Sequence, residues 1–257
     1  MRFSVLGSGS KGNAVFIESG KTGILIDAGF SGKELARRLH LVGQDLANIK
    51  GICVTHEHND HIRGAGVLSR RRKIPVHANE ATLTVLLSQV GKIVDEQAIS
   101  NGRPFAIGDL EIRSFSLSHD CVDPVGYIVS DGKSSLGYCT DTGRISHLMA
   151  QRLAGCDALI LEFNHNLDML KTGPYPVVLQ QRVRSSQGHL SNDDASKFLY
   201  QLLDGPLHTV VLAHLSEVNN TPELAMTAAR KAVEQREGDD FRLILAKQDQ
   251  PTEFVVV

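Results

Sequence analysis

Along the first half of the chain, apolar residues come in short runs bounded by glycine and polar turns. The runs are RFSVLG (2–7), AVFIES (14–19), GILIDA (23–28), GICVTH (51–56), IPVHA (74–78), LEIRSFSLSH (110–119), GYIVSD (126–131) and SLGYCTD (135–141). Their length and their β-branched and aromatic content predict strands. Helical spacing interrupts them. SGKELARRLHLVG (31–43) opens on a Ser cap and sets Leu35, Leu39 and Val42 on one face, and NEATLTVLLSQV (79–90) opens on Asn79 with a similar stripe. In the second half, helices predicted over 145–155, 191–205 and 221–238 alternate with strands in CDALILEF (156–163), HTVVLAHLS (208–216) and FRLILAKQD (241–249). Residues 168–186 are the least regular, with KTGPYP breaking any helix before VVLQQRVRSS. The alternation predicts a mixed α/β fold, a single domain over 1–257 with two sheets covered by helices.

The stretch SVLGSGSKGNAVFIES (4–19) tests this pattern. Gly7, Gly9 and Gly12 satisfy GxGxxG behind a strand-like run, as in a dinucleotide-binding loop. In that loop the glycines open a helix whose N-terminal amides hold a pyrophosphate. Here Gly12 leads instead into AVFIES, a strand, and Asp27 falls too early to be the acidic residue that holds a ribose. The glycines therefore predict a tight turn between two strands.

Composition narrows the class. The 257 residues are 42% apolar and 22% charged, with a net charge of −2. That suits a full hydrophobic core and gives no global basic field for nucleic acid. A polyanion would have to be met by a local patch or by bound metal ions. Cys53, Cys121, Cys139 and Cys156 form no CxxC, which predicts free thiols in a cytoplasmic protein; Cys121, two residues from His119, is also a candidate ligand. MRFSVLGSGS lacks the apolar centre of a signal peptide. No run approaches the ~18 apolar residues that span a membrane. The expectation is a cytoplasmic protein without membrane contact.

The eleven histidines are not evenly spread. VTHEHNDH packs His56, His58, Asp60 and His61 into six residues behind the apolar run GICVT. Alternate residues of a strand share a side, so His56 and His58 point together, and the turn after them brings Asp60 and His61 around the same centre. Three imidazoles and a carboxylate are costly to pack without a shared partner, and they match divalent zinc, manganese or iron. Further ligands would come from other strand ends: His119 closing SFSLSH, Asp141 closing LGYCTD, and His214 after TVVLA.

In this order the residues resemble the metallo-β-lactamase superfamily. HEHNDH is similar to its HxHxDH signature, and Asp27 in ILIDAG, His119, Asp141 and His214 match its first, third, fourth and fifth motifs. The resemblance runs from Ser4 to Val255, and GSGSKGN and GHLSNDDA are most similar to the YycJ/WalJ group. It implies an αβ/βα four-layer sandwich of two mixed sheets flanked by helices, with two divalent metal ions, zinc or manganese. His56, His58 and His119 would hold one ion and Asp60, His61 and His214 the other. Asp141 would bridge them, and Asp27 would orient the loop or a ligand imidazole. The resemblance also implies a DNA substrate and exonuclease action from the 5′ end.

Two divalent ions outweigh the charges of Asp60 and Asp141, so such a centre attracts a phosphodiester although the composition is close to neutral. DALILEFNHN puts Glu162 at a strand end, and SSQGHLSNDDA puts His189 in a turn before a capped helix. With LAHLSEVNN they resemble the late motifs of tRNase Z and the β-CASP nucleases. That likeness implies His189 as general acid to the leaving 3′ oxygen and Glu162 as its carboxylate partner, with Asp60 completing the catalytic set. The plainer alternatives are a polar turn residue for His189 and a salt-bridge residue for Glu162. No insertion is long enough for a β-CASP domain. Asn164 and His165 read as substrate contacts or as surface loop. SRRRK (69–73) reads as a solvated helix end, with phosphate contact as the alternative. Arg182 and Arg184 near His189, and Ser8, Ser10, Lys11 and Asn13 on the glycine turn, are the candidate substrate contacts. The rival functions are a small-molecule hydrolase of glyoxalase II or lactonase type and a non-catalytic nucleic-acid-binding module.

Overall fold

The computed structural model describes residues 1–234 and 241–257. The strands, in chain order, are β1 (Arg2–Gly7), β2 (Ala14–Ser19), β3 (Thr22–Ile26), β4 (Ile49–Cys53), β5 (Val76–Asn79), β6 (Glu96–Ile99), β7 (Pro104–Ile107) and β8 (Leu110–Ser116). They continue with β9 (Val125–Ser130), β10 (Ser135–Cys139), β11 (Ala158–Glu162), β12 (Thr209–Ala213), β13 (Arg242–Leu245) and β14 (Val255–Val256). The helices are α1 (Gly32–Leu41), α2 (Asn59–Ile62), α3 (Ala65–Arg72), α4 (Glu80–Val90), α5 (His147–Leu153), α6 (Leu167–Thr172), α7 (Val177–Val183), α8 (Asn192–Leu202) and α9 (Pro222–Val233). The expected strands and longer helices form; residues 235–238 of the last expected helix lie outside the described residues.

The chain forms two compact units. The first comprises Met1–Ser116, Cys121–Ser134 and Lys247–Val257. Its main sheet runs β14-β1-β2-β3-β4-β5-β6. Pairing is antiparallel from β14 to β3 and parallel from β3 to β6. The β1–β2 register shifts between Val5 and Gly7, where the chain enters the glycine turn. Strands β7, β8 and β9 form an antiparallel meander in the same unit. Helices α1, α3 and α4 cover the main sheet, and Phe16, Leu25, Leu35, Leu39, Val54, Leu68 and Leu86 join in one core. Ser31 and Asn79 cap α1 and α4 by accepting from the backbone N–H of Glu34 and Thr82.

The second unit comprises Leu117–Asp120 and Ser135–Ala246. Its strands β10, β11, β12 and β13 pair in parallel. Strands β11 and β12 are buried along their whole length, so they read as unbroken apolar runs rather than as alternation. Helices α5, α8 and α9 belong to this unit, and Ser191 caps α8. The irregular stretch resolves into two short helices, α6 and α7, on either side of the break at Gly173 to Pro176. Parallel pairing has a direct consequence in both units: strand C-termini collect at one end, where loops can converge.

Phe16 is fully buried and meets Phe254 edge-to-face, with ring centroids 6.1 Å apart. Phe16→Ala is expected to cost about 3–5 kcal/mol of unfolding free energy in urea titration. A loss below ~1 kcal/mol would contradict this account of the first core.

Candidate active site

The site residues sit where parallel strands end. Asp27 follows β3, His56 and His58 follow β4, Asp141 follows β10, Glu162 ends β11 and His214 follows β12. Asp27, Asp141 and His214 have φ of 59°, 62° and 54°. Left-handed backbone costs a non-glycine residue ~1–2 kcal/mol, and it persists where surrounding contacts enforce it. Here Asp27 N donates to Cys53 O at 2.9 Å, and Asn164 Nδ2 donates to His214 O at 2.9 Å. Among the described residues the only other non-glycine residue with this backbone is Lys73, which terminates α3.

In the first unit the donors are built around Asp27, which is fully buried. Its Oδ1 accepts from Thr55 N at 2.8 Å, and its Oδ2 lies 2.7 Å from His61 Nδ1. Burial pushes the Asp27 carboxyl up, while the His61 charge and the hydrogen bonds from His61 and Thr55 pull it back. Thr55 Oγ1 also contacts His56 Nδ1 at 3.0 Å. The inner nitrogens of both rings are therefore engaged, and the ring centroids lie 4.0 Å apart. His61 Nε2 lies 3.5 Å from Asp60 Oδ2. Gly29 is obligatory here, because a Cβ at that position would fall 1.7 Å from the Asp60 carbonyl oxygen. Glu57, between two of the histidines, accepts from Val122 N at 2.9 Å and ties the following loop to the motif. That loop puts Cys121 Sγ 3.4 Å from His58 Nε2. Cys53, Cys139 and Cys156 are buried thiols; desolvation pushes Cys156 up to about 12.

In the second unit the organiser is Glu162, also fully buried. Its Oε1 lies 2.6 Å from His189 Nδ1, and its Oε2 accepts from Thr142 N and Leu190 N, each at 3.2 Å. Burial lowers the His189 imidazole, but the Glu162 charge and hydrogen bond, with Asp141 and Asp120, outweigh it and raise it to about 9. His214 Nε2 lies 3.2 Å from Asp141 Oδ1. His119 Nδ1 donates towards the carbonyls of Gln187 and Gly188, both at 3.1 Å, which turns Nε2 towards Asp141 Oδ1 at 3.9 Å.

Two ligands ~2.0–2.1 Å from a tetrahedral zinc stand ~3.3–3.4 Å apart. The Asp60–His61 and Asp141–His214 separations, 3.5 and 3.2 Å, match that spacing. Ligand atoms of Asp141, Glu162, His189 and His214 all lie within 4.8 Å of one another. Imidazoles whose Nδ1 is anchored and whose Nε2 faces a carboxylate are a donor set suited to a divalent ion.

The weaker expectations resolve differently. Ser8 and Asn13 are buried. Asn13 Oδ1 accepts from Ser8 Oγ and Gly9 N, and its Nδ2 reaches Asp60 Oδ2 at 3.2 Å. The glycine turn thus braces the metal motif; Gly9, with φ 143°, lets the chain close around Asn13. Ser10 and Lys11 remain exposed on it. Asn164 and His165 are buried, so neither is surface loop; burial lowers the His165 imidazole to about 4. Arg182 pairs with Asp120 at 2.6 Å, and Arg184 is exposed. Arg70 caps the end of α4 through Val90 O and Lys92 O, a structural use of the basic run. Thr55, Glu57 and Asp120 match no fixed position of a motif in the sequence, and the one local signal for them is a polar side chain beside a candidate histidine.

The model of the beta-lactamase superfamily domain matches residues 22–215. The chain belongs to this superfamily and carries its metallo-β-lactamase hydrolase fold, two mixed sheets flanked by helices. Among curated relatives, exodeoxyribonuclease YycJ of Bacillus anthracis is 35% identical over 262 residues, covering 100% of this chain and 99% of its own. Exodeoxyribonuclease WalJ of Streptococcus pneumoniae (strain ATCC BAA-255 / R6) is 35% identical over 258 residues, covering 98% and 96%. The metallo-β-lactamase fold protein YhfI from Bacillus subtilis superposes with a TM-score of 0.76 at 18% identity, covering 98% of this chain and 99% of that one.

Asp27→Asn keeps the size of the side chain and removes its charge. Metal affinity, read by competition with a chromophoric chelator, is expected to fall about 10–100-fold. Unchanged affinity would show that Asp27 does not orient His61 for a ligand.

Proposed function

We propose that this chain is a metal-dependent phosphodiesterase, an exodeoxyribonuclease that degrades DNA from its 5′ end. The carrying observation is the His189–Glu162 pair, 2.6 Å apart, with His189 Nδ1 also 3.8 Å from Asp141 Oδ1. Thioester hydrolysis has little need of an imidazolium in this position, because a thiolate departs without first taking up a proton. Cleavage of a phosphodiester does, because the departing alkoxide must take up a proton. The YycJ and WalJ relatives, named exodeoxyribonucleases, support the same reading at full length.

In this reading His56, His58 and His119 hold one divalent ion and Asp60, His61 and His214 a second, with Asp141 shared; zinc and manganese both suit the donors. When bound, the ions supply Lewis-acid activation of water and offset charge on the phosphate. The residues do the rest. Asp27 and Thr55 keep the imidazoles of His61 and His56 in one orientation. Glu162 holds His189 by Nδ1, keeps it protonated at neutral pH and frees Nε2 for the substrate. His189 gives its proton to the 3′ oxygen as the P–O3′ bond breaks. Exposed Ser10, Lys11 and Arg184 suit backbone phosphates, and Arg182 would exchange Asp120 for one.

The test is a metal-loaded panel of 5′-labelled duplex and single-stranded DNA and RNA set beside thioester and lactone substrates. DNA cleavage is expected; thioester turnover without DNA cleavage would overturn the assignment in favour of a small-molecule hydrolase. His189→Ala is expected to keep its metal content and lose cleavage by about 10²–10⁴-fold. Loss of metal in that variant would instead make His189 a ligand.

The raised His189 value sets the sign of a pH effect. The imidazolium is present at neutral pH and disappears as pH rises through about 9, so cleavage should fall on that limb. Glu162→Gln removes the main raising influence, and its high-pH fall should begin at lower pH. Superimposable high-pH limbs for the two proteins would contradict the pairing.

A further inference from the structure

The carboxylate that holds His189 also fixes the wall of a cavity. Glu162 Oε2 accepts from Thr142 N on one side and Leu190 N on the other. Between those two turns and α8 lies a cavity of about 350 Å³, within the ~300–1,000 Å³ typical of small-ligand sites. Half-buried Ile145, backed by the buried side chains of Leu190 and Phe198, gives it an apolar floor, and Arg144 and Lys197 stand at its rim. Arg144 and Lys197 are both exposed. The one carboxylate among the lining residues, Asp194, is engaged by Ser191 Oγ at 2.7 Å and lies 3.5 Å from Lys197 Nζ. Two cations against one carboxylate leave the rim positive. An apolar floor under a cationic rim suits a nucleobase joined to a phosphate.

We propose that this cavity is a nucleotide subsite that receives the terminal nucleotide of the strand being cut, with the base against Ile145 and the 5′-phosphate at Arg144 and Lys197. The proposal rests on the exonuclease reading. Hydrolysis breaks the P–O3′ bond, the water oxygen goes to phosphorus, and the proton goes to the 3′ oxygen. The departing group is then a nucleotide with a free 3′-hydroxyl and its own 5′-phosphate. Leu190 lines the cavity, and its N–H is held by the same Glu162 carboxylate that binds the His189 imidazole, the group that would protonate that departing nucleotide.

The test is calorimetric titration of the metal-loaded protein with dTMP, thymidine and inorganic phosphate. Wild type is expected to bind dTMP at least tenfold more tightly than either fragment. Arg144→Glu and Lys197→Glu, at exposed positions, are each expected to weaken dTMP at least tenfold and to leave thymidine binding unchanged. Circular dichroism and metal content confirm that each variant is folded and loaded. Inorganic phosphate binding as tightly as dTMP, or dTMP affinity unmoved by both charge reversals, would overturn the subsite. A parallel assay on 5′-labelled DNA separates the two claims. Absence of cleavage by wild type sinks the exonuclease reading, whereas intact cleavage with unmoved dTMP affinity sinks the subsite alone.

Discussion

A carboxylate with no access to water must find its hydrogen bonds inside the protein, and this requirement shapes the strand ends of each unit. Asp27 and Glu162 are each fully buried. Each answers the desolvation cost in the same way, by accepting from the backbone N–H of a threonine and binding the Nδ1 of a histidine. The pairs are Asp27 with Thr55 and His61, and Glu162 with Thr142 and His189. Each carboxylate thereby fixes the orientation of one imidazole and joins it to the end of a strand. Deleting either acid would leave buried donors unsatisfied as well as an imidazole unheld.

The fold supplies the places where such pairs can form. Parallel strands bring their C-termini to one end, and the loops that leave them start with sharp left-handed turns at Asp27, Asp141 and His214. Those turns are strained, and what enforces them is local: a backbone bond from Asp27 to Cys53, and the Asn164 amide under His214. Strain held by hydrogen bonds on rigid strands gives an orientation that does not wait for the ligand to arrive. The glycine turn before β2 serves the same end through Asn13, which braces Asp60.

Much of this was legible in the sequence because the carriers are strong local signals. The strands β1 to β5 are compact apolar runs, the helices α1, α4 and α8 announce themselves by cap and stripe, and HEHNDH has few structural excuses. The features that sequence does not reveal share a cause: nothing local marks them. Strands β6 and β7 are short and largely exposed, so no apolar pattern distinguishes them. Helix α2 spans only four residues, three of them part of the metal motif. Small polar residues in a glycine loop, such as Ser8 and Asn13, read as exposed from sequence, whereas the turn closes on itself and buries both. The roles of Thr55 and Glu57 arise from contacts far along the chain or across adjacent strand ends, which spacing cannot reveal.

The central claim is a hydrolysis in which the 3′ oxygen departs with a proton from His189. Its most direct test is mass spectrometry of the products formed in H₂¹⁸O from duplex DNA. The account predicts 5′-mononucleotides that, after the first released, carry one ¹⁸O on the 5′-phosphate. Label on a 3′-phosphate, or release of unlabelled nucleotides throughout, would contradict it.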